Sequence, residues 1–306
     1  MKFNIVSIQS GPCERGESYE SYMGRQLDLF KKAVQEKAPY LVLFPEMMTG
    51  EYFGLVTDKR WFSKAEDFDN GPTTKMMVEA AKDTGVHICY SLYEKDSSGS
   101  EPVYYNTIAI ASPTRGVIGK YRKLHIPAGE DRSISKVAEK FYFSKGNLKP
   151  QVFSLDNGVK AALLICYDRS FSELWRTYFL QGAQIACVAT CTFGLRSDMY
   201  HAELQTRALE THTYVMASNR AGYEQVEGEE ELRHHFGKSA VIDPIGNIIE
   251  AADATPWTYV TGEFDTDKLE WANKRWNWRR DRRPELYGLL TDESLVTPGK
   301  FEYDIQ

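Results

Sequence analysis

Short apolar runs recur along the chain and alternate with longer amphipathic stretches, and this alternation leaves few folds open to it. The runs are rich in β-branched and aromatic residues, and their length is typical of strands rather than helices. Several are apolar almost throughout, as expected for strands of a sheet that is covered on both faces. The predicted strands are residues 3–9, 40–45, 87–93, 106–112, 160–167, 183–190, 213–219 and 238–243.

The stretches between these runs carry helix signals. In residues 71–85, Pro72 stands near the start and Gly85 beyond the end, the usual asymmetry of helix punctuation. Ser172 is a candidate N-cap for a helix that closes at Gly182. The predicted helices are residues 22–38, 71–85, 172–182 and 199–212.

This order of elements predicts an α/β fold built in layers. The sequence has no Ser/Gly-rich linker, repeat or low-complexity tract, so one domain over residues 1–306 is expected. Residues 222–235 are predicted as a polar, acidic loop, and residues 243–247 (DPIGN) as a turn between two strands.

Charge and cysteine content narrow the function classes. With 37 basic and 43 acidic residues the net charge is −6, which argues against a general binder of nucleic acids or anionic membranes. Five cysteines are an odd set without the density of a disulfide scaffold. The first residues lack the pattern of a signal peptide, and no apolar run reaches the roughly 18 residues of a membrane span. We therefore expect a reduced, cytoplasmic protein.

Three chemically complementary side chains stand where predicted strands end. Glu46 follows the strand of LVLFPE, Lys123 precedes the loop of KLHIPAG, and Cys166 ends the strand of LLIC. Strand ends in layered α/β proteins converge on a common crevice, where ligands usually bind. A thiol needs a base or a stabilising charge to act as a nucleophile near pH 7. Glu46 can accept its proton, and Lys123 can stabilise a developing oxyanion.

Each of these residues also has a simpler interpretation. A cysteine at the end of a buried strand is most often a small core residue. A glutamate after a strand is usually a solvated loop residue or a helix cap, and a lysine in KYRKLH is usually a surface charge. Spacing alone therefore leaves the function open.

Taken together, the three segments resemble the nitrilase, or carbon–nitrogen hydrolase, superfamily. LVLFPEMMTGEY is similar to its glutamate motif, KYRKLHIP to its lysine motif and LLICYDRSFSELWR to its cysteine motif. The resemblance extends from about residue 3 to about residue 290 and implies a four-layer α–β–β–α sandwich. It also implies a homodimer or larger homo-oligomer, in which the segment from about 270 to 306 packs on a partner subunit. No metal or organic cofactor is implied.

The resemblance assigns a mechanism to these residues. Glu46 would be the general base, Cys166 the nucleophile, and Lys123 with the backbone N–H of Tyr167 the oxyanion site. The intermediate would be a thioester that water then hydrolyses. Glu139, in AEKFYF, corresponds to a second glutamate that orients Lys123 and the substrate. Glu130, Asp131 and a plain surface role for Glu139 are the alternatives.

Within the superfamily the chain most resembles the N-carbamoyl-D-amino-acid amidohydrolases and the amidases. That first group has two arginines after Cys-x-Asp, but here only Arg169 remains, followed by Ser170. An Asn-Thr pair of the group is replaced by Cys191-Thr192. The expected reaction is therefore hydrolysis of a small linear N-carbamoyl amine, N-carbamoyl amino acid or carboxamide, with release of ammonia. A nitrile is the alternative, although nitrilases usually have Cys-Trp-Glu at the nucleophile.

Substrate contacts are expected from loops beside these motifs. The candidates are Tyr52, Phe53, His125, Tyr167, Arg169, Thr192 and Arg196. Three other functions are alternatives to an amidohydrolase. Cys187 and Cys191 with nearby histidines (His234 and His235, or His201 and His212) lack the spacing of a zinc site. The basic, tryptophan-containing segment 274–283 is better explained by a subunit interface than by nucleic-acid binding. A catalytically silent interaction protein is the remaining alternative.

Overall fold

A computed structural model describes residues 1–127, 137–228 and 230–296. The strands are β1 (Lys2–Gln9), β2 (Leu41–Leu43), β3 (His87–Asp96), β4 (Val103–Ser112), β5 (Gly116–Arg122), β6 (Phe153–Ser154), β7 (Lys160–Ile165), β8 (Ile185–Ala189), β9 (Tyr214–Ser218), β10 (Ala221–Glu224), β11 (Arg233–Phe236), β12 (Ala240–Ile242), β13 (Ile248–Ala251) and β14 (Thr258–Asp265). The helices are α1 (Tyr19–Lys37), α2 (Pro72–Thr84), α3 (Glu139–Tyr142), α4 (Ser172–Gln181), α5 (Tyr200–Thr211), α6 (Thr266–Arg275) and α7 (Trp278–Asp281).

Two six-stranded mixed sheets form the centre of the molecule. The first has the order β14-β1-β2-β3-β4-β5, and the second the order β13-β12-β9-β8-β7-β6. In each sheet the three central strands are parallel, β1 to β2 to β3 in one and β7 to β8 to β9 in the other. The sheets face each other, with β1 against β9 and β4 against β7.

Strict alternation of side chains explains the layers, since successive residues of a strand point to opposite faces. In β4, Ile108 and Ile110 lie in the core between the two sheets, whereas Ala109 and Ala111 face the cluster that contains α1 and α2. Helices α4 and α5 cover the outer face of the second sheet, with their apolar residues in the same core cluster as its strands. The predicted four-layer α–β–β–α sandwich is confirmed.

Most predicted elements are found within a few residues of their expected bounds. Gly85 and Gly182 end α2 and α4 with φ of 72° and 86°, values that glycine adopts without strain. Ser172 is the first residue of α4 rather than its N-cap, which is Phe171. The loop prediction for residues 222–235 is wrong at both ends, where β10 and β11 pair as an antiparallel hairpin.

The ends of three strands in the two sheets bring the motifs together. Glu46 follows β2, Lys123 directly follows β5, and Cys166 directly follows β7. The Glu46 N–H donates to the Thr190 carbonyl at 3.3 Å, which links the end of the first sheet to the segment after β8. The site is therefore built where the two sheets meet.

The C-terminal part of the described chain is rich in exposed apolar side chains. Those of α6 and the turns after α7 are Trp271, Leu286, Tyr287, Leu289, Leu290, Leu295 and Val296. The predicted packing of this segment on a partner subunit stays a prediction. Over the described ranges, no helix combines the length and apolar character that crossing a membrane requires.

Candidate active site

Glu46 is fully buried and held by three donors. Its Oε1 accepts hydrogen bonds from Asn106 Nδ2 and Lys123 Nζ, both at 2.8 Å. Its Oε2 accepts from the backbone N–H of Cys191 at 2.9 Å. One of these three donors is the Lys123 ammonium, and together they fix the orientation of the carboxylate. Glu46 is thus presented as an oriented proton acceptor.

Lys123 lies between two carboxylates. Besides Glu46, its Nζ contacts Glu139 Oε2 at 2.6 Å, and all three side chains are buried. Burial alone would lower the pKa of Lys123, but the charges of Glu139 and Glu46 outweigh it and raise this pKa above the usual lysine value. The ammonium is therefore a permanent positive charge at the centre of the site.

Glu139 opens the short helix α3 and is buried, so the surface role is excluded for it. Its Oε1 accepts a hydrogen bond from the Tyr52 hydroxyl at 2.6 Å. Burial raises the pKa of Glu139, and the attraction of Lys123 opposes this without overcoming it. The alternatives Glu130 and Asp131 lie outside the described residues.

Cys166 differs from the other four cysteines, since it is partly exposed and they are buried. The strand ends at Ile165, so Cys166 begins a 3₁₀ turn, Cys166–Ser170, rather than ending β7 as predicted. Its φ of 45° lies in the left-handed region, which is unusual for a residue with a side chain and recurs at functional sites. This turn at Cys166 directs the thiol out of the sheet.

The electrostatics of Cys166 show that it shares a site with the charged residues. Burial and the charge of Glu46 raise the pKa of its thiol to about 12, whereas Lys123 and Arg169 oppose the rise. A thiol in this state is protonated at neutral pH, so a base must remove its proton when it attacks. The sulfur, the carboxylates and the ammonium therefore occupy one small region.

Asp168 ties the lysine segment to the cysteine turn. It is fully buried and accepts from the Tyr121 hydroxyl at 2.8 Å and from the Ile165 N–H at 3.1 Å. Its Oδ1 also lies 2.7 Å from His125 Nδ1. The His125 ring stacks on Phe171 with centroids 3.5 Å apart. Rotation of either segment away from the other would break these contacts.

The remaining predicted substrate contacts have different surroundings. Tyr167 is partly exposed beside Cys166, and buried Thr192 donates its backbone N–H to Asn219 Oδ1 at 2.9 Å. Arg196 is exposed and donates to Ser170 Oγ and Glu203 Oε1, both at 2.9 Å. Their contacts with a substrate stay predictions.

Phe53 lies in an aromatic cluster and stacks on Trp61, with ring centroids 5.3 Å apart. Tyr93, Tyr142 and Phe143 are its other aromatic neighbours. The predicted contact of Phe53 with a substrate stays a prediction. By contrast, neighbouring Tyr52 reaches the site through its hydroxyl.

Arg169, a predicted substrate contact, is buried and already paired, and its contact with a substrate stays a prediction. The side chain is 2% exposed and pairs with Glu203 at 3.0 Å. Its Nη1 donates to the Cys166 carbonyl at 2.9 Å. A guanidinium with these partners has little capacity left for a bidentate grip on a carboxylate.

Sequence reasoning missed two residues that shape the site, Asn106 and Asp168. Asn106 lies within the predicted strand 106–112, where an amide between apolar residues was the available signal. Asp168 was seen only as part of the Cys-Tyr-Asp motif. Neither contact could be read from local spacing, because each partner comes from a different element.

Within the described ranges, no three His, Cys, Asp or Glu side chains are grouped to hold a metal ion. Cys191 Sγ lies 3.7 Å from His235 Nδ1, while His201 Nε2 contacts the Lys238 carbonyl at 2.8 Å. His212 contacts Asn273 at 3.2 Å. The histidines considered with Cys187 and Cys191 therefore serve separate parts of the structure.

The arrangement combines a proton acceptor, a fixed cation and the thiol of a partly exposed cysteine. Such a set can transfer an acyl group to sulfur and then to water, because the cation stabilises negative charge on oxygen in a site of low polarity. This matches the chemistry that the sequence motifs implied.

Comparison with known proteins identifies the family to which the chain belongs. Residues 7–273 match the family model described as "Carbon-nitrogen hydrolase". The chain is 33% identical to an N-carbamoylputrescine amidase of Arabidopsis thaliana over 83% of this chain and 85% of that protein. It is 29% identical to a citrullinase of Francisella tularensis over 81% of this chain and 85% of that protein.

The fold is likewise shared with solved structures. A carbon–nitrogen hydrolase from Helicobacter pylori G27 superposes with a TM-score of 0.86 at 22% identity, covering 96% of this chain and 99% of that one. With the family match over most of its length, the chain belongs to the carbon–nitrogen hydrolase family and is an enzyme that hydrolyses the carbon–nitrogen bonds of amides.

Proposed function

We propose that the protein is a cysteine-dependent amidohydrolase that removes ammonia from a small linear N-carbamoyl amine. Cys166 is the nucleophile, Glu46 the general base, Lys123 the oxyanion partner and Glu139 the residue that orients Lys123. The observation that carries the proposal is Lys123 Nζ, 2.8 Å from Glu46 and 2.6 Å from Glu139, in the same site as the partly exposed Cys166.

In the first half-reaction, Glu46 takes the proton of the Cys166 thiol and the sulfur attacks the carbonyl carbon of the ureido group. The electron pair of the C=O bond moves to oxygen, where Lys123 and the backbone N–H of Tyr167 stabilise it. Protonated Glu46 then gives its proton to the departing nitrogen. Ammonia leaves, and the carbonyl carbon stays on sulfur as a thioester, which for a ureido substrate is a thiocarbamate.

In the second half-reaction, Glu46 is again a carboxylate and removes a proton from water. The hydroxide attacks the same carbon, Lys123 again stabilises the oxyanion, and the carbon–sulfur bond breaks. The thiolate takes the proton back from Glu46, so the enzyme returns to its starting state. The carbamic acid that leaves decomposes to carbon dioxide and the free amine.

Two observations favour an amine tail on the substrate over an α-carboxylate. Arg169 is engaged with Glu203 and the Cys166 carbonyl, so the arginine expected to bind a carboxylate is occupied. The curated relatives at 31–33% identity include four plant proteins named N-carbamoylputrescine amidase. We therefore place N-carbamoyl amines ahead of N-carbamoyl amino acids and plain carboxamides.

A substrate panel assayed for ammonia tests the proposal. The panel contains N-carbamoylputrescine, citrulline, an N-carbamoyl-D-amino acid, a short aliphatic carboxamide and a short aliphatic nitrile. We expect the highest kcat/KM for N-carbamoylputrescine, at least tenfold above the N-carbamoyl amino acid. A preference for the nitrile would support the alternative activity, and no ammonia from any compound would overturn the proposal.

A further inference from the structure

We propose that Arg169 is a catalytic residue that stabilises the Cys166 thiolate, and that Glu203 on α5 is the positioning residue that holds it there. The inference rests on the proposed function in one respect, since it takes Cys166 to be the nucleophile. It gives Arg169 a task beyond the substrate contact that the sequence predicted.

The guanidinium of Arg169 contacts the nucleophile at two atoms. Its Nη1 lies 3.5 Å from Cys166 Sγ and donates to the Cys166 carbonyl at 2.9 Å. The first contact places a full positive charge against the sulfur. The second holds the peptide of a residue whose φ is 45°. The same nitrogen therefore places positive charge beside the sulfur and holds the backbone conformation of the turn.

Glu203 fixes the guanidinium from the opposite side. Its Oε2 accepts from Arg169 Nε at 3.0 Å, while its Oε1 accepts from Arg196 Nη2 at 2.9 Å. The ring of Tyr200, also on α5, lies 5.3 Å from the Arg169 guanidinium carbon. With only 2% of the side chain exposed, these contacts leave the guanidinium one orientation, toward the thiol.

The other charges of the site explain why a second cation is useful. Lys123 is shared between Glu46 and Glu139, so two negative charges surround one positive charge. When the S–H bond breaks, the proton moves to Glu46 and the electron pair stays on sulfur until the S–C bond forms. During that interval the Arg169 charge acts on the sulfur together with that of Lys123, from an Nη1 that lies 3.5 Å away at a buried position where the attraction is strong.

A purely structural role makes a different prediction. If Arg169 only braces the turn through the Cys166 carbonyl, any donor of similar reach would serve, charged or not. If its charge stabilises the thiolate, a lysine should substitute for it and a glutamine should not. Arg169→Lys and Arg169→Gln therefore separate the two roles.

The test is the rate at which iodoacetamide alkylates Cys166 in the full-length protein at pH 8, followed by mass spectrometry of the Cys166 peptide. We expect Arg169→Gln to lower this rate about tenfold, the effect of one unit in the thiol pKa. Arg169→Lys should stay within about threefold of wild type. Arg176→Gln is the matched control, since that arginine on α4 contacts the Glu210 carbonyl and not the thiol.

Equal alkylation rates in Arg169→Gln and Arg169→Lys would show a structural role and overturn the proposal, as would a wild-type rate in Arg169→Gln. If Arg169→Gln does not fold because Glu203 loses its buried partner, the double variant Arg169→Gln/Glu203→Gln removes both charges and is measured instead. Its alkylation rate should be about tenfold below that of wild type, and a wild-type rate would overturn the proposal.

Two more outcomes keep this inference separate from the proposed function. If Cys166→Ala hydrolyses substrate at the wild-type rate, the nucleophile itself is wrong and the proposed function fails. If Cys166 is required for hydrolysis but its alkylation rate does not depend on Arg169, only the present inference fails. A rise in KM confined to carboxylate-bearing substrates, with unchanged alkylation, would return Arg169 to the substrate-binding role.

Discussion

Two buried charge clusters lie on either side of the segment that follows Glu46, and they differ in how the cation is shared. In the Lys123 cluster (Glu46, Lys123, Glu139 and Cys166), one ammonium serves two carboxylates. In the Arg220 cluster (Arg220, Glu224 and His235), one guanidinium pairs with a single carboxylate. Both clusters are buried, except for the thiol, which is partly exposed.

The two glutamates show the consequence. Burial and repulsion from Glu46 raise the pKa of Glu139, and the attraction of Lys123, which Glu139 shares with Glu46, does not overcome them. For Glu224, burial also acts upward, but Arg220, together with His235 and two backbone N–H groups, outweighs it and lowers the pKa below the usual glutamate value. When two carboxylates share one cation, a carboxylate can change its protonation state. When a carboxylate has a cation to itself, it stays ionised. We infer that the first cluster serves chemistry and the second serves structure.

The contacts of the Arg220 cluster agree with a structural role. Arg220 donates to the Met47 carbonyl at 2.8 Å and the Gly50 carbonyl at 2.9 Å. Glu224 accepts from the Tyr52 N–H at 2.8 Å. The cluster thus holds the backbone after Glu46 and, through Tyr52, the residue that contacts Glu139.

Removal of the thiol should have the largest effect on the Lys123 cluster and little effect on stability. We expect Cys166→Ala to lower kcat by at least about 10⁴-fold, since the covalent route is lost. Its melting temperature should stay close to that of wild type. Cys89→Ala, a change at a thiol buried between the sheets, is the control for loss of a thiol and should keep its kcat. Ammonia release at the wild-type rate from Cys166→Ala would refute the assignment.

The same substitution in the two clusters should give opposite results. Glu224→Gln leaves Arg220 unpaired in the interior and should cost about 3–5 kcal/mol of unfolding free energy. Glu139→Gln removes a carboxylate whose raised pKa makes its ionised form destabilising, so stability should change by less than about 1 kcal/mol. Its kcat should fall about 100-fold. Urea unfolding and kcat measured on both variants check this, and equal stability losses would erase the distinction.

Acid should weaken the Arg220 cluster through His235. Burial lowers the pKa of His235 to about 4, with Glu224 pulling in the opposite direction. Between pH 6.5 and 4 the unfolded chain therefore binds a proton that the folded chain does not, and stability falls as the pH decreases. At pH 5 the loss from this residue should be about 2 kcal/mol.

The variant His235→Asn removes this titration and gives the control. Its unfolding free energy should decline less than that of wild type between pH 7 and pH 5, when both are measured by urea unfolding. Parallel declines in the two proteins would show that His235 does not carry the pH dependence.

The smallest effect is expected where the two clusters meet, at Tyr52. Tyr52→Phe removes the 2.6 Å hydrogen bond to Glu139 but keeps the backbone N–H bond to Glu224. We expect kcat to fall about tenfold, the equivalent of one hydrogen bond to a charged group, with stability nearly unchanged. A loss of stability as large as that of Glu224→Gln would mean that the hydroxyl supports structure instead.

The sequence predicted the Lys123 cluster far better than the Arg220 cluster. Glu46 and Cys166 stand at the ends of apolar runs that could be read from periodicity, and resemblance to a known family supplied the roles of Lys123 and Glu139. Glu224 lies in the stretch GYEQVEGEEE, where it looks like one more surface acid, and residues 222–235 were predicted as a loop. Its burial depends on Arg220, and local pattern does not show which of several acids a buried arginine will pair with.

The same limit applies to Arg169 and Glu203, which are 34 residues apart in sequence and 3.0 Å apart in space. The sequence placed Arg169 among the substrate contacts near the thiol, but its pairing with Glu203 could not be read from local pattern. Contacts between elements are set by how the layers pack, so side chains with several candidate partners are the ones that sequence reasoning assigns least well.

The pKa difference between the two buried glutamates tests the shared-cation account most directly. Carboxyl ¹³C signals of glutamate-labelled protein, assigned by their loss in Glu139→Gln and Glu224→Gln, report each titration separately. The account predicts that the Glu139 signal titrates above 4.5 and the Glu224 signal below it. If the pKa of Glu139 is equal to or lower than that of Glu224, the sharing of one cation between two carboxylates does not explain the difference between the two clusters.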